Sequence, residues 1–243
     1  LRYRGSNGVQ FVTPRKSRHT HRMAFDLEKE ALIASGIKGA NRLDEYGGKL
    51  DLLHQKASPA ARGIRGLATR ARALFDWLWT EKPARYRLGH SYKLDEVIDA
   101  QLSAETQPVG NCLGLTLLFN CLLRRTGINA EALYLKDAFG TGPHVLTVLR
   151  AEGSSMDIEN ILPDGFDYKG HLRNPSRTRW EDRELVADIY HSQGNECFEK
   201  GEFNEALNSY DKAINLNPKY EKAHLNRAIM LAEIGGGDKG TDL

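Results

Sequence analysis

Cysteine is scarce in this 243-residue chain. The three present, Cys112, Cys121 and Cys197, form no CxxC pair and leave one over, which fits reduced thiols rather than a disulfide framework. Long apolar runs are missing as well: the longest, Cys112 to Leu123, falls far short of the roughly 18 residues that span a bilayer. No signal-type pattern opens the sequence. The expectation is a cytoplasmic protein without a membrane partner. An overall charge of one sign is also nearly absent, at +2, but it is unevenly spread. Residues 1 to 22 hold Arg2, Arg4, Arg15, Lys16, Arg18 and Arg22 with no acid, which leaves the remainder at −4. With no aromatic interleaving beyond Tyr3 and Phe11, residues 1–23 read as a disordered, solvated basic arm and not as a nucleic-acid contact.

What is there suffices for one buried domain and a smaller appendage, since 40% of residues are apolar and 27% charged. Residues 24 to 55 read as helical, interrupted by Gly36, Gly39, Gly47 and Gly48. In "SPAARGIRGLATRARALFDWLWTEKP", Ser58 is placed as an N-cap, Pro59 opens the helix and Pro83 follows its end. Ile64, Leu67, Ala68, Ala71, Leu74, Phe75 and Leu78 stripe one face. A shorter helix is expected from Leu94 to Leu102. From Asn111 the pattern changes: leucines surround the next helix on all sides, Asn111 caps it, and Arg124, Arg125 and Gly127 close it. Then "INAEALYL", "HVLTVLR" and "SMDIENI" alternate with period two, as antiparallel strands do. A buried helix followed by a sheet meander gives an α+β core over residues 24–180.

Residues 181–243 follow different rules. Helix, turn at Gly201, helix and Pro218 are followed by Gly235, 34 residues after Gly201. That is the period of a tetratricopeptide repeat, and Tyr190, Gly194, Phe203, Ala206, Tyr210 and Ala213 stand where it wants small or aromatic residues. "YEKAHLNRAIMLAEIG" supplies the first helix of a second repeat. One and a half repeats cannot bury their own apolar faces, so docking on the α+β core is expected.

Cys112 sits immediately after the N-cap, where unpaired N–H groups favour a thiolate. Cys121 is rotated by about 180° to the far side of the same helix and cannot assist it. His144 opens a strand after the loop "GTGP", and Asp157 lies across the following turn. Thiol, imidazole and carboxylate in this order match a nucleophile, its base and the group that fixes the base's tautomer. A symmetric hairpin does not bring 144 opposite 157, so Glu159, on the same strand face, is the fallback orienter.

"GNCLGLTLLFNCLLRRTGI", "PHVLTVL" and "EGSSMDIEN" resemble the three signature blocks of the transglutaminase-like superfamily, whose core is the papain-like cysteine fold. With the repeat segment, the chain from about Arg70 to Ile234 resembles bacterial transglutaminase-like proteins that carry tetratricopeptide repeats. The resemblance implies Cys112 as nucleophile, His144 as base, Asp157 as third member, and amide chemistry on a protein or peptide through a thioester, with no cofactor. Gln107 stands about where papain-like enzymes place an oxyanion-hole glutamine, although a plain loop residue explains it as well. The family's aromatic residue before the aspartate is replaced by Ser155 and Met156. Some relatives lack catalysis, so the competing function is a silent scaffold whose repeats bind a protein partner.

Zinc on Cys112, His144 and Asp157 is disfavoured for want of a second cysteine or an HxxxH pair, and no metal is expected. His171 reads as part of a basic surface linker. Arg85, Tyr86 and Arg87 read as a solvated turn.

Overall fold

The computed structural model describes residues 25–237, apart from Glu152, with side chains to Ile234. The basic arm expected over residues 1–23 therefore lies outside the described residues. Eight helices and a four-stranded sheet are present among the described residues. Helix α1 (Leu27–Ala34) is capped by Asp26, whose carboxylate accepts the Lys29 N–H. It ends where Gly36 and Gly39 adopt left-handed φ of 102° and 82°. Helix α2 (Ala40–Ala61) then runs straight through Gly47 and Gly48, which do not break it as expected.

A second expectation fails at Ser58 and Pro59. They lie in the last turn of α2, not at the start of α3 (Leu67–Glu81). Ser58 Oγ donates to the His54 carbonyl one turn back at 2.6 Å. Proline near a helix end forfeits only one backbone bond, so the break falls later, at Gly63 and Gly66 with φ of 75° and 88°. Helix α4 (Leu94–Leu102) has the bounds its apolar spacing predicts.

Helix α5 (Cys112–Arg125) is the centre of the molecule, with every residue from Leu113 to Leu123 buried. It packs against the antiparallel sheet of β1 (Ala130–Leu135), β2 (His144–Ala151), β3 (Ser154–Ile158) and β4 (Thr178–Trp180), in the order β3-β2-β1-β4. The architecture is α+β. Strand β4, only three residues long, carries no period-two pattern in the sequence. Ala130, Ala132, Val145 and Leu149 face the main core. Leu133, Leu135, Leu146 and Val148 form a second, smaller cluster, the alternation expected when both faces of a sheet are covered.

A buried polar network locks α5 to the sheet. Asn160 donates to Thr116 Oγ1 at 3.1 Å and Thr147 Oγ1 at 2.9 Å, and Thr147 donates to Asn120 at 2.7 Å. Each group is satisfied, so the network fixes the depth and rotation of α5.

Helices α6 (Asp182–Glu199), α7 (Phe203–Leu216) and α8 (Glu221–Gly237) complete the chain. They dock on the core as expected. Leu185, Val186, Ala187 and Ile189 of α6 enter the main core, Arg124 pairs with Asp182 at 2.6 Å, and Gln193 bonds the Ala34 carbonyl. Tyr220 packs edge-on against Trp180 and Tyr134, which stack at 4.2 Å. Gly194 lets α6 and α7 close, since a Cβ there would stand 2.4 Å from the Tyr210 ring.

Candidate active site

Cys112 is the first residue of α5, partly exposed, and Asn111 Oδ1 accepts the Gly114 N–H at 3.1 Å to cap the helix above it. The Cys112 amide, one of those a helix start leaves over, has no partner among the described residues. The first turn is pressed against residues 91–97. A Cβ at Gly114 would lie 2.7 Å from Val97 Cγ2 and 2.8 Å from the Ser91 carbonyl, so no larger residue fits.

His144 begins β2 at the same end of the molecule. Its Nε2 lies 2.9 and 2.8 Å from the two oxygens of Glu159. That leaves Nδ1 as the ring nitrogen for a thiol, and Cys112 stands close enough to the ring to affect its charge. Burial opposes charge on the ring, but the neighbouring Cys112 and the bonded Glu159 carboxylate outweigh it and push its pKa up to about 10. The Glu159 carboxyl is buried, which alone would raise its pKa; bonds from His144 and His171 reverse the sign and lower it. The carboxylate–imidazolium pair is thus the stable form.

Asp157 is not the partner of His144. It lies opposite Val148, four residues along β2, or roughly 14 Å at the usual rise per residue. Its two oxygens instead bind Arg177 at 2.6 and 3.0 Å. Glu159 shares the face but lies two residues nearer along the strand, and its extra methylene covers the diagonal. The fallback orienter therefore holds the histidine. Glu159 is itself clamped by its backbone: its N–H donates to the Gly165 carbonyl at 2.8 Å, and a Cβ on Gly165 would stand 2.0 Å from the Glu159 carbonyl oxygen.

His171 is another correction. It is buried, 4% exposed, with Nε2 at 2.9 Å from Glu159 Oε2, and is no surface linker. The segment 159–177 has to return from the β3 edge to the β4 edge, and this crossing carries His171 inward. Arg177 fixes it by donating to the His171 carbonyl at 3.0 Å as well as to Asp157. Phe139, at φ 57°, stands edge-on to His171 at 4.8 Å and to His144 at 5.7 Å. No local spacing in the sequence signals that His171 and Phe139 meet His144.

Gln107 is half-buried in the loop before α5, its N–H bonded to the Glu105 carbonyl at 3.1 Å, and its side chain has no hydrogen-bond partner among the described residues. Arg85 and Tyr86 do not form the solvated turn expected of them. Arg85 is 2% exposed and its carbonyl accepts the Val109 and Gly110 amides. Burial lowers its pKa to about 9. Tyr86 bridges Gly110 and is close enough to Cys112 and Glu159 for their charges to add to burial in raising its pKa.

Beside the sheet, a cleft of about 480 Å³ is lined by Tyr134, Lys136, Trp180, Tyr220 and Lys222 among others. One wall is the sheet and the other is the turn between α7 and α8. A family described as TPR repeat matches residues 194–235. The C-terminal helices carry a tetratricopeptide repeat. Such repeats generally bind other proteins, and their helices here supply the second wall of the cleft. An uncharacterized protein of Methanocaldococcus jannaschii is 41% identical over 49 residues, which are 20% of this chain and 57% of that protein. The chain thus spans little more than half the length of that relative. No solved structure matches. No helix among the described residues is long and apolar enough to cross a membrane.

Proposed function

We propose that the chain is a transglutaminase-like cysteine enzyme with a papain-like core over residues 24–180, acting on amide bonds of a protein or peptide, and that residues 181–243 are a docked interaction segment. The observation that supports this reading best is the buried His144–Glu159 pair beside Cys112: a thiol at a helix start, an imidazole close to it, and a buried carboxylate 2.8 Å from the ring's Nε2. Transfer of the thiol's proton to the ring makes the sulfur a thiolate nucleophile.

In the reaction the Cys112 sulfur adds to the amide carbonyl, and the unpaired Cys112 N–H stabilises the oxyanion. His144 gives its Nδ1 proton to the nitrogen as the C–N bond breaks, which releases an amine and leaves a thioester on Cys112. Neutral His144 then takes a proton from water or from a second amine as that nucleophile attacks the thioester, and the thiolate–imidazolium pair is restored. Water gives a hydrolase and an amine gives an acyltransferase. Glu159 keeps Nε2 protonated and the ring in plane throughout.

The tetratricopeptide match favours a second reading, a silent core that presents the repeat to a protein partner. Iodoacetamide at neutral pH separates the two. The enzyme reading expects rapid, selective alkylation of Cys112, slowed at least about tenfold by His144→Ala. Slow labelling of Cys112, Cys121 and Cys197 alike, unaffected by that substitution, leaves the scaffold.

A further inference from the structure

The second histidine has no step in the mechanism above. His144 and His171 aim their Nε2 atoms at the same carboxylate, and these two nitrogens and a Glu159 oxygen lie within 4.8 Å of one another. All three residues are buried, at 6%, 4% and 0% exposure, and the rim above them is the half-exposed Phe139 ring. Two imidazoles and one carboxylate form the donor set of a zinc site that keeps one position open.

We infer that His144, Glu159 and His171 form a binding site for a divalent transition metal, zinc above all, that shares two residues with the proposed catalytic line. The dimensions fit. Two donors on one tetrahedral zinc stand about 3.3 Å apart when each bond is about 2.05 Å. The present separations of 2.8 and 2.9 Å need widen by only about 0.5 Å, by rotation of side chains already converging. Charge fits as well: in the metal-free state both Nε2 atoms bring protons to Glu159, and a divalent cation replaces those two protons in the same space. The Cys112 sulfur is outside the donor group. The metal is therefore held by nitrogen and oxygen alone.

Binding stands on this geometry, whereas its consequence rests on the proposed function. Metal seated between His144 and Glu159 takes the place of the carboxylate contact that orients the ring. The catalytic line is thereby broken, and the metal inhibits turnover.

The test uses the full chain with His19→Gln and His21→Gln, so that the terminal histidines do not compete. Zinc chloride titrated calorimetrically is expected to bind at one equivalent, equally in Cys112→Ser, and at least about tenfold more weakly in His171→Gln. The cobalt(II) derivative is expected to show the visible bands of a four-coordinate site without a thiolate-to-cobalt charge-transfer band. Absence of zinc binding, unchanged affinity in a folded His171→Gln, or a thiolate band overturns the inference. If His171→Gln fails to fold, the cobalt spectrum of the unsubstituted site decides. Zinc binding in Cys112→Ser involves no thiol chemistry, so failure of the catalytic reading in the alkylation experiment leaves this result standing, and the reverse.

Discussion

Glu159 and Asp157 are two residues apart on one strand and share a face, yet only Glu159 serves His144. Their substitutions should separate cleanly. Glu159→Gln is expected to slow Cys112 alkylation about tenfold or more, equivalent to about 1.4 kcal/mol. Asp157→Asn should stay within about twofold, because it loosens Arg177 and not the imidazole. The raised pKa of His144 gives a second prediction at this scale. A histidine whose pKa rises from its ordinary 6.5 to about 10 on folding adds stability that is fully present below 6.5 and disappears as pH climbs through 10. The advantage of the native chain over His144→Gln in thermal unfolding should therefore shrink between pH 7 and 10, apart from any packing difference that stays constant with pH. Glu159 acts at the other end: its pKa falls on folding, so its contribution is present above its ordinary 4.5 and is lost as pH drops through the lowered value.

Among the elements, α5 and the α6–α7 pair depend on single small or polar residues. Removing the Asn160 amide leaves the Thr116 and Thr147 hydroxyls without their donor inside the core. Asn160→Ala is expected to cost about 1–3 kcal/mol in urea unfolding, with the m-value unchanged. Gly194→Ala forces a methyl into the Tyr210 ring and should cost about 1–3 kcal/mol. Much of this level was legible beforehand. The bounds of α4, the caps of α5, the three longer strands and the repeat's helices follow from periodicity and end signals within about 20 residues of chain. The start of α3 is not legible, because Ser-Pro is an N-terminal signal that a helix's last turn also tolerates. Strand β4 is not legible either, because three residues are too short for alternation to register.

At the scale of the whole molecule, the repeat and the α+β core share one apolar interior. Leu185 and Ile189 of α6 are continuous with the core that includes Leu27, Leu115 and Ala132. The full chain should accordingly unfold in a single transition, with calorimetric and van't Hoff enthalpies equal within about 10%. Two separate transitions in the heat-capacity trace would contradict this. A chain cut after Trp180 strips the cover from α1, β1 and β4, and should lose its near-ultraviolet circular dichroism or aggregate. The same packing brings Tyr220 into the lining of the cleft, so the repeat segment forms one of its walls.

The sequence by itself determined the elements and the chemistry available to them: a thiol at the head of a buried helix, an imidazole at a strand start, carboxylates two residues apart, and a 34-residue period. These are local, since capping and periodicity act over a few turns. Only tertiary structure decided that Glu159 rather than Asp157 reaches His144, and that His171 comes inward to share the same carboxylate. Both outcomes turn on strand register and on a crossing from one sheet edge to the other. Those are set by packing between distant segments, and no short window of sequence contains them.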